Sequence, residues 1–212
     1  METKSRREKK TILAGAYEKL IGKNLRTFCE KRGPWIASRI GARAEGDFLR
    51  FMAFGEDCCI HPGHMTLSGN LETGPKGVVI SLYLLHANDE PMRLLPLMAF
   101  KDLPGSMPYH GAFRANSETP LVPHVTDIRK NVAKIRRLFQ GEDPPDGLGG
   151  DFSFVLYPLP KIALCYIFYL PDEDFPASVT CLFSANALSF MPIDGLADAA
   201  EYTSRRLMVP AR

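Results

Sequence analysis

The chain has 212 residues, 45% of them hydrophobic and 24% charged, with a net charge of +2. That length fits one large domain and buries roughly 70% of the unfolded surface, so no disulfide or metal staple is required. No window approaches the roughly 20 apolar residues that cross a bilayer, and the charged start lacks the apolar stretch of a signal peptide, so cytoplasmic residence is the expectation.

Charge is spread unevenly. Residues 1–50 hold 13 Lys or Arg against 6 Asp or Glu, leaving −5 for the rest. Lys4, Arg6, Arg7, Lys9 and Lys10 make residues 1–10 a basic segment expected to fray ahead of the folded part, residues 11–209. Such asymmetry can mark a nucleic-acid or membrane contact. No aromatic residues interleave with these charges to stack bases, which argues against nucleic acid.

Ile12, Leu13, Ala16, Tyr17, Leu20, Ile21, Leu25, Phe28 and Cys29 recur at spacings of three and four. This predicts a helix over residues 7–32 with one apolar stripe, ended by Gly33-Pro34. The period then changes, and Trp35–Ala44, Asp47–Phe54 and Met65–Leu67 read as short strands. Glu45-Gly46, Pro62-Gly63 and Ser68-Gly69-Asn70 separate them, giving an antiparallel meander against the first helix. Pro75 suits the first turn of a second helix through Val78, Val79, Leu82, Tyr83, Leu85 and His86, stopped by Asn88-Asp89-Glu90-Pro91. Leu94–Phe100 reads as a strand broken by Pro96, and Pro104-Gly105 as a turn.

Residues 109–139 carry helical patches, with Val125, Ile128, Val132, Ile135, Leu138 and Phe139 at helix spacing and Arg129, Lys130, Lys134, Arg136 and Arg137 on the other face. The Pro- and Gly-rich stretch 142–150 reads as a surface loop. Ile162–Leu170 and Val179–Phe183 are apolar strands flanking the polar turn Pro171–Pro176, and a closing helix runs from about Ile193 to Leu207. Helices and strands mix without strict βαβ alternation. The expected fold is therefore α+β, a single domain whose largely antiparallel sheet packs against the N-terminal amphipathic helix and further helices.

Chemistry-bearing residues are sparse. The five cysteines are odd in number, and Cys165 and Cys181 fall inside apolar runs, so they read as small core residues rather than a disulfide framework. Cys58, Cys59, His61 and His64 form the one dense group of soft metal ligands. Adjacent cysteines on a strand point to opposite faces, and the plainer reading is a strand end with one buried cysteine and two turn histidines. Tyr109, His110 and Arg114, with Lys101 nearby, suit an anionic or planar ligand, Arg114 as the clamp and Tyr109 as a wall. The plainer reading plugs Tyr109 and Phe113 into the core and leaves Arg114 in a surface ion pair. Asp172-Glu173-Asp174 offers carboxylates but suits a solvated gatekeeper beside an apolar strand. The basic face around Arg129–Arg137 could meet phosphates, though helices commonly solvate with such residues. Neither a nucleophile elbow nor a phosphate loop is present.

Phe152-Ser153-Phe154, Leu159-Pro160-Lys161-Ile162-Ala163-Leu164, Asp172-Glu173-Asp174-Phe175-Pro176-Ala177-Ser178-Val179, Leu182-Phe183, Asn186-Ala187, Met191-Pro192 and Leu196 together resemble one family pattern. Leu103-Pro104-Gly105, Tyr109, Ala112-Phe113-Arg114 and Pro120-Leu121 are similar to its central segment. The family is domain of unknown function 3786, prokaryotic and found mainly in anaerobes, and the resemblance spans roughly residues 35–205. It implies one domain and a setting in anaerobic metabolism. An iron–sulfur segment carried by some members has no counterpart here, because no four-cysteine run exists. Ser184 stands where the family pattern favours Asp. No catalytic residue or cofactor follows from the resemblance. The expected role is a small-ligand or cofactor-binding or interaction module, the cleft lying near Tyr109, His110 and Arg114. A metal-assisted enzyme using His61, His64 and a cysteine, or a subunit that binds a protein partner, are the alternatives.

Overall fold

In a computed structural model, residues 2–31, 33 and 35–209 are described, with side chains from Ile12 onward. Helix α1 (Glu2–Glu30) lies along α3 (Pro75–His86). Ile21, Leu25 and Phe28 are buried there, and Asn24 Nδ2 donates to Ser81 Oγ at 2.9 Å. The approach is close enough that a Cβ on Gly77 would stand 2.7 Å from Ile21 Cδ1. The apolar stripe of α1 outruns its partner. A 29-residue helix spans roughly 43 Å, far longer than its 12-residue neighbour, and Ile12 and Leu13 stay 73% and 51% exposed. The side chains of the basic segment 1–10 and the expected stop at Pro34 lie outside the described residues. The helix itself closes at Glu30.

The strand expected over Trp35–Ala44 is instead a helical turn, α2 (Ile36–Arg39), followed by β1 (Arg43–Glu45). Ile36 and Ile40 stand four apart and are both buried. Ser38, which a strand would put on the same face as both, is exposed, so the pattern fits a helical turn and not a strand. β2 (Phe48–Ala53), β3 (Glu56–His61), β4 (His64–Leu67) and β5 (Asn70–Leu71) complete a five-stranded antiparallel meander in chain order. Its β2–β3 turn is Phe54-Gly55 with φ of 53° and 75°. Both residues are left-handed, as a two-residue hairpin of the right twist demands. Leu49, Phe51 and Ala53 alternate into the core, where Tyr83 lies buried and donates from its hydroxyl to the Ile40 carbonyl at 2.8 Å.

The second sheet has the order β6-β9-β8-β7, built from β6 (Met98–Ala99), β7 (Phe152–Leu159), β8 (Ile162–Tyr169) and β9 (Ser178–Phe183). The long strand expected over Leu94–Phe100 is cut to two residues. Met92, Leu94 and Leu97 instead cross the back of this sheet, covering Val155, Ala163, Cys165 and Ile167. Asn186 pins that strap, accepting from Arg93 N–H at 2.8 Å and donating to the Pro91 carbonyl at 3.0 Å.

On the other face pack α7 (Ile193–Met208) and a run of short turns. These are α4 (His110–Phe113), a π-helical turn at Arg114–Glu118, a 3-10 stretch at Thr119–His124, α5 (Val125–Lys130) and α6 (Val132–Leu138). The chain is therefore a single α+β domain with two antiparallel sheets and an N-terminal helix. Among the described residues no helix is long and apolar enough to cross a membrane.

Candidate functional site

The two sheets touch where Phe54 N–H donates to the Pro158 carbonyl at 2.7 Å. Gly41 there runs so close to Pro160 that a Cβ would stand 2.6 Å from the proline Cβ. Beside this contact opens a cleft of about 450 Å³, lined by Arg43, Arg50, Met52, Asp57, Gln140 and Tyr157 among others. That volume lies within the range of small-molecule sites.

Strand register builds the meander's side of the cleft. Arg43 pairs with Arg50, Arg50 with Cys59 and Cys59 with Thr66, one row across β1, β2, β3 and β4. Residues in such a row share a sheet face, here the one turned away from Phe51 and Cys58. Arg50 is anchored in place. Its guanidinium reaches Glu45 at 3.1 Å, Asp57 at 3.5 Å and, through Nε, the Cys59 sulfur at 3.3 Å. Arg43 is exposed and has no ion pair among the described residues.

The opposite wall comes from β7 and the end of α6. Tyr157 donates its hydroxyl to Glu142 Oε1, and burial together with that carboxylate pushes the phenol up, so it stays protonated. Gln140 has φ of 53° and sits just past α6. The Gly141 N–H reaches back to the Arg136 carbonyl at 2.6 Å. This is the left-handed C-terminal cap that glycine usually occupies.

The residues expected at the site are placed otherwise. Tyr109 lines a depression of about 130 Å³ with Asn116, Asp194, Asp198 and Glu201, small and acidic where an anion site was expected. Arg114 is 3.8 Å from Glu118. Burial pushes the Glu118 carboxyl up, opposed by its bond from Cys181 N–H and by Arg114 and His110. Among the described residues His110 Nδ1 is buried without a hydrogen-bond partner. Lys101 is exposed. Of these four, Tyr109 lines that depression and Arg114 turns to Glu118.

Nor does β3 gather its soft ligands. Cys58 points into the core, where burial pushes its thiol up, while Cys59 faces Arg50 on the other side. His61 and His64 face each other across the β3–β4 turn with rings stacked at 4.6 Å. Among the described residues no group of three or more His, Cys, Asp or Glu is placed to hold a metal ion.

Sequence reasoning missed Arg43, Arg50, Gln140 and Tyr157. Alternation along Phe48, Arg50 and Met52 could have put Arg50 on the open face. The Gln140 backbone has no sequence signal.

Residues 34–206 match the family described as a domain of unknown function (DUF3786). No curated protein and no solved structure matches the chain.

Proposed function

For this chain, which belongs to the DUF3786 family, we propose a binding module for a small anionic molecule held in the cleft between the two sheets. The observation that carries the reading is Arg43, an uncompensated guanidinium on a cleft of ligand size. A guanidinium fork suits carboxylate and phosphate oxygens. Arg50 adds positive potential but is partly neutralised by Glu45 and Asp57. The Gln140 amide can donate a directed hydrogen bond to an anion, whereas the Tyr157 hydroxyl is already given to Glu142. The one hydroxyl–carboxylate pair in the cleft, Tyr157 on Glu142, is held protonated by burial and by that carboxylate, which favours binding over catalysis.

The test is calorimetric titration with orthophosphate and with citrate, on the natural chain and on Arg43→Ala and Arg114→Ala. Arg43→Ala should weaken binding about tenfold, roughly 1.4 kcal/mol, and Arg114→Ala should leave it unchanged. The reverse pattern would move the site to the depression beside Tyr109. Mass spectrometry of gently purified protein, searched for a retained anion, gives an independent check.

A further inference from the structure

The cleft does not end at Gln140. A second, more open depression of about 470 Å³ is lined by Ala133, Arg136, Arg137, Gln140 and Gly141, so Gln140 is shared by both. Arg136 is engaged with Asp143 at 2.6 Å. Arg137 is exposed and, among the described residues, has no ion pair. Two guanidinia without an ion pair among the described residues, Arg43 and Arg137, thus line adjoining cavities that share one residue, Gln140. A single compact anion would use only one of them.

Resting on the binding reading above, we propose that the ligand is elongated and carries two or more linked oxyanion groups, as a di- or triphosphate or a polycarboxylate does. One group sits at Arg43 and the next at Arg137, with the Gln140 amide between them. The backbone at Gln140 strengthens the assignment. A left-handed cap is the natural place for glycine, which has no Cβ to strain. A glutamine there keeps a polar side chain at the junction despite the backbone preference.

Inorganic tripolyphosphate, citrate and orthophosphate are titrated against the natural chain, Arg43→Ala, Arg137→Ala and Gln140→Gly. The expected result is that at least one of the two polyanions binds tenfold or more tighter than orthophosphate. Arg137→Ala erases that margin while leaving orthophosphate binding intact. Gln140→Gly narrows the margin without lowering the melting temperature, a combination that a merely structural glutamine would not give. Tripolyphosphate against citrate separates linked phosphates from linked carboxylates. No margin for either polyanion, or a margin untouched in Arg137→Ala, overturns the elongated ligand. If Arg43→Ala still loses orthophosphate in that case, the compact-anion reading survives. Failure of all three probes to bind overturns both.

Discussion

On the second sheet, β8 hides seven of its eight residues, whereas along the meander's β2 buried and half-exposed residues strictly alternate. Both sheets are antiparallel hairpins, so pairing does not account for the contrast. Their covers do. The second sheet has α7 and the helical turns on one face and the strap through Met92, Leu94 and Leu97 on the other. The meander has a cover on its core face alone. Its open face keeps charged residues, and the ligand-sized cleft forms where it meets the closed sheet. A two-sided core leaves no room for solvated chemistry, while a one-sided sheet offers a row of polar side chains on a rigid frame. Structure concentrates in one region and the candidate chemistry in the other.

Phe168→Ala should therefore have the largest effect. Phe168 is fully buried, stacks on Phe152 at 4.6 Å and lies 5.2 Å from Phe154. Its truncation should cost about 3–5 kcal/mol, read as a shifted urea midpoint with an unchanged slope. A loss under 1 kcal/mol would mean that the closed sheet is not the stability centre.

The same contrast explains what was legible in the sequence. Ile162–Leu170 and Val179–Phe183 announced strands because a sheet buried on both faces writes an unbroken apolar run. The residues carrying the family resemblance are largely of this kind: Phe154, Leu164 and Phe183 fill the core, and Asn186 holds the strap. β3 is legible only as a strand end at its cysteines, because its Glu56-Asp57 start has no clear period, and β7 is not legible because Pro158 interrupts it. α2 was misread because a single turn cannot display helical periodicity. Arg43, Gln140 and Tyr157 lie far apart in the chain, and only the closing of the two sheets brings them to one cleft. Tyr109 and Arg114 drew notice because they cluster in sequence, yet Arg114 turns to Glu118.

Gly150→Ala comes next. Gly150 has φ of 95°, and an added Cβ would meet Ile167 Cγ2 at 2.6 Å and the Phe168 carbonyl at 3.0 Å. The conformation alone costs about 1–3 kcal/mol for a non-glycine residue, and the backbone contact adds to it. A melting temperature equal to that of the natural chain would show that the loop edge of the closed sheet can shift, against the comparison.

Cys165 sharpens the same point through pH. Burial pushes its thiol up to about 11, while in the unfolded chain it ionises near about 8.5. The folded state holds the proton longer, so this stabilising contribution is complete below about 8.5 and is lost as pH rises toward 11. Between these limits stability should fall by up to about 1.4 kcal/mol per pH unit through this group. In Cys165→Ala the fall should be shallower by that amount, measured by urea unfolding at pH 9, 10 and 11. Equal slopes would place solvent at the back of the closed sheet, under the strap.

Arg50→Ala should have the smallest effect on stability, although Arg50 has more partners than most side chains on the open face. Glu45 and Asp57 hold it, the Cys59 sulfur accepts from it and its guanidinium lies 5.5 Å from the centre of the Phe48 ring. Its side chain is nonetheless 43% exposed, and ion pairs in that environment contribute little and weaken with salt. Truncation leaves Glu45 and Asp57 facing water rather than a dry interior, so neither is stranded. The expected loss is a small fraction of that in Phe168→Ala and shrinks further in concentrated salt. A loss as large as that in Phe168→Ala, as when a buried pair is broken, would make the open face part of the core. The region assigned to chemistry would then be holding the fold together, and the division between the two sheets would fail at that residue.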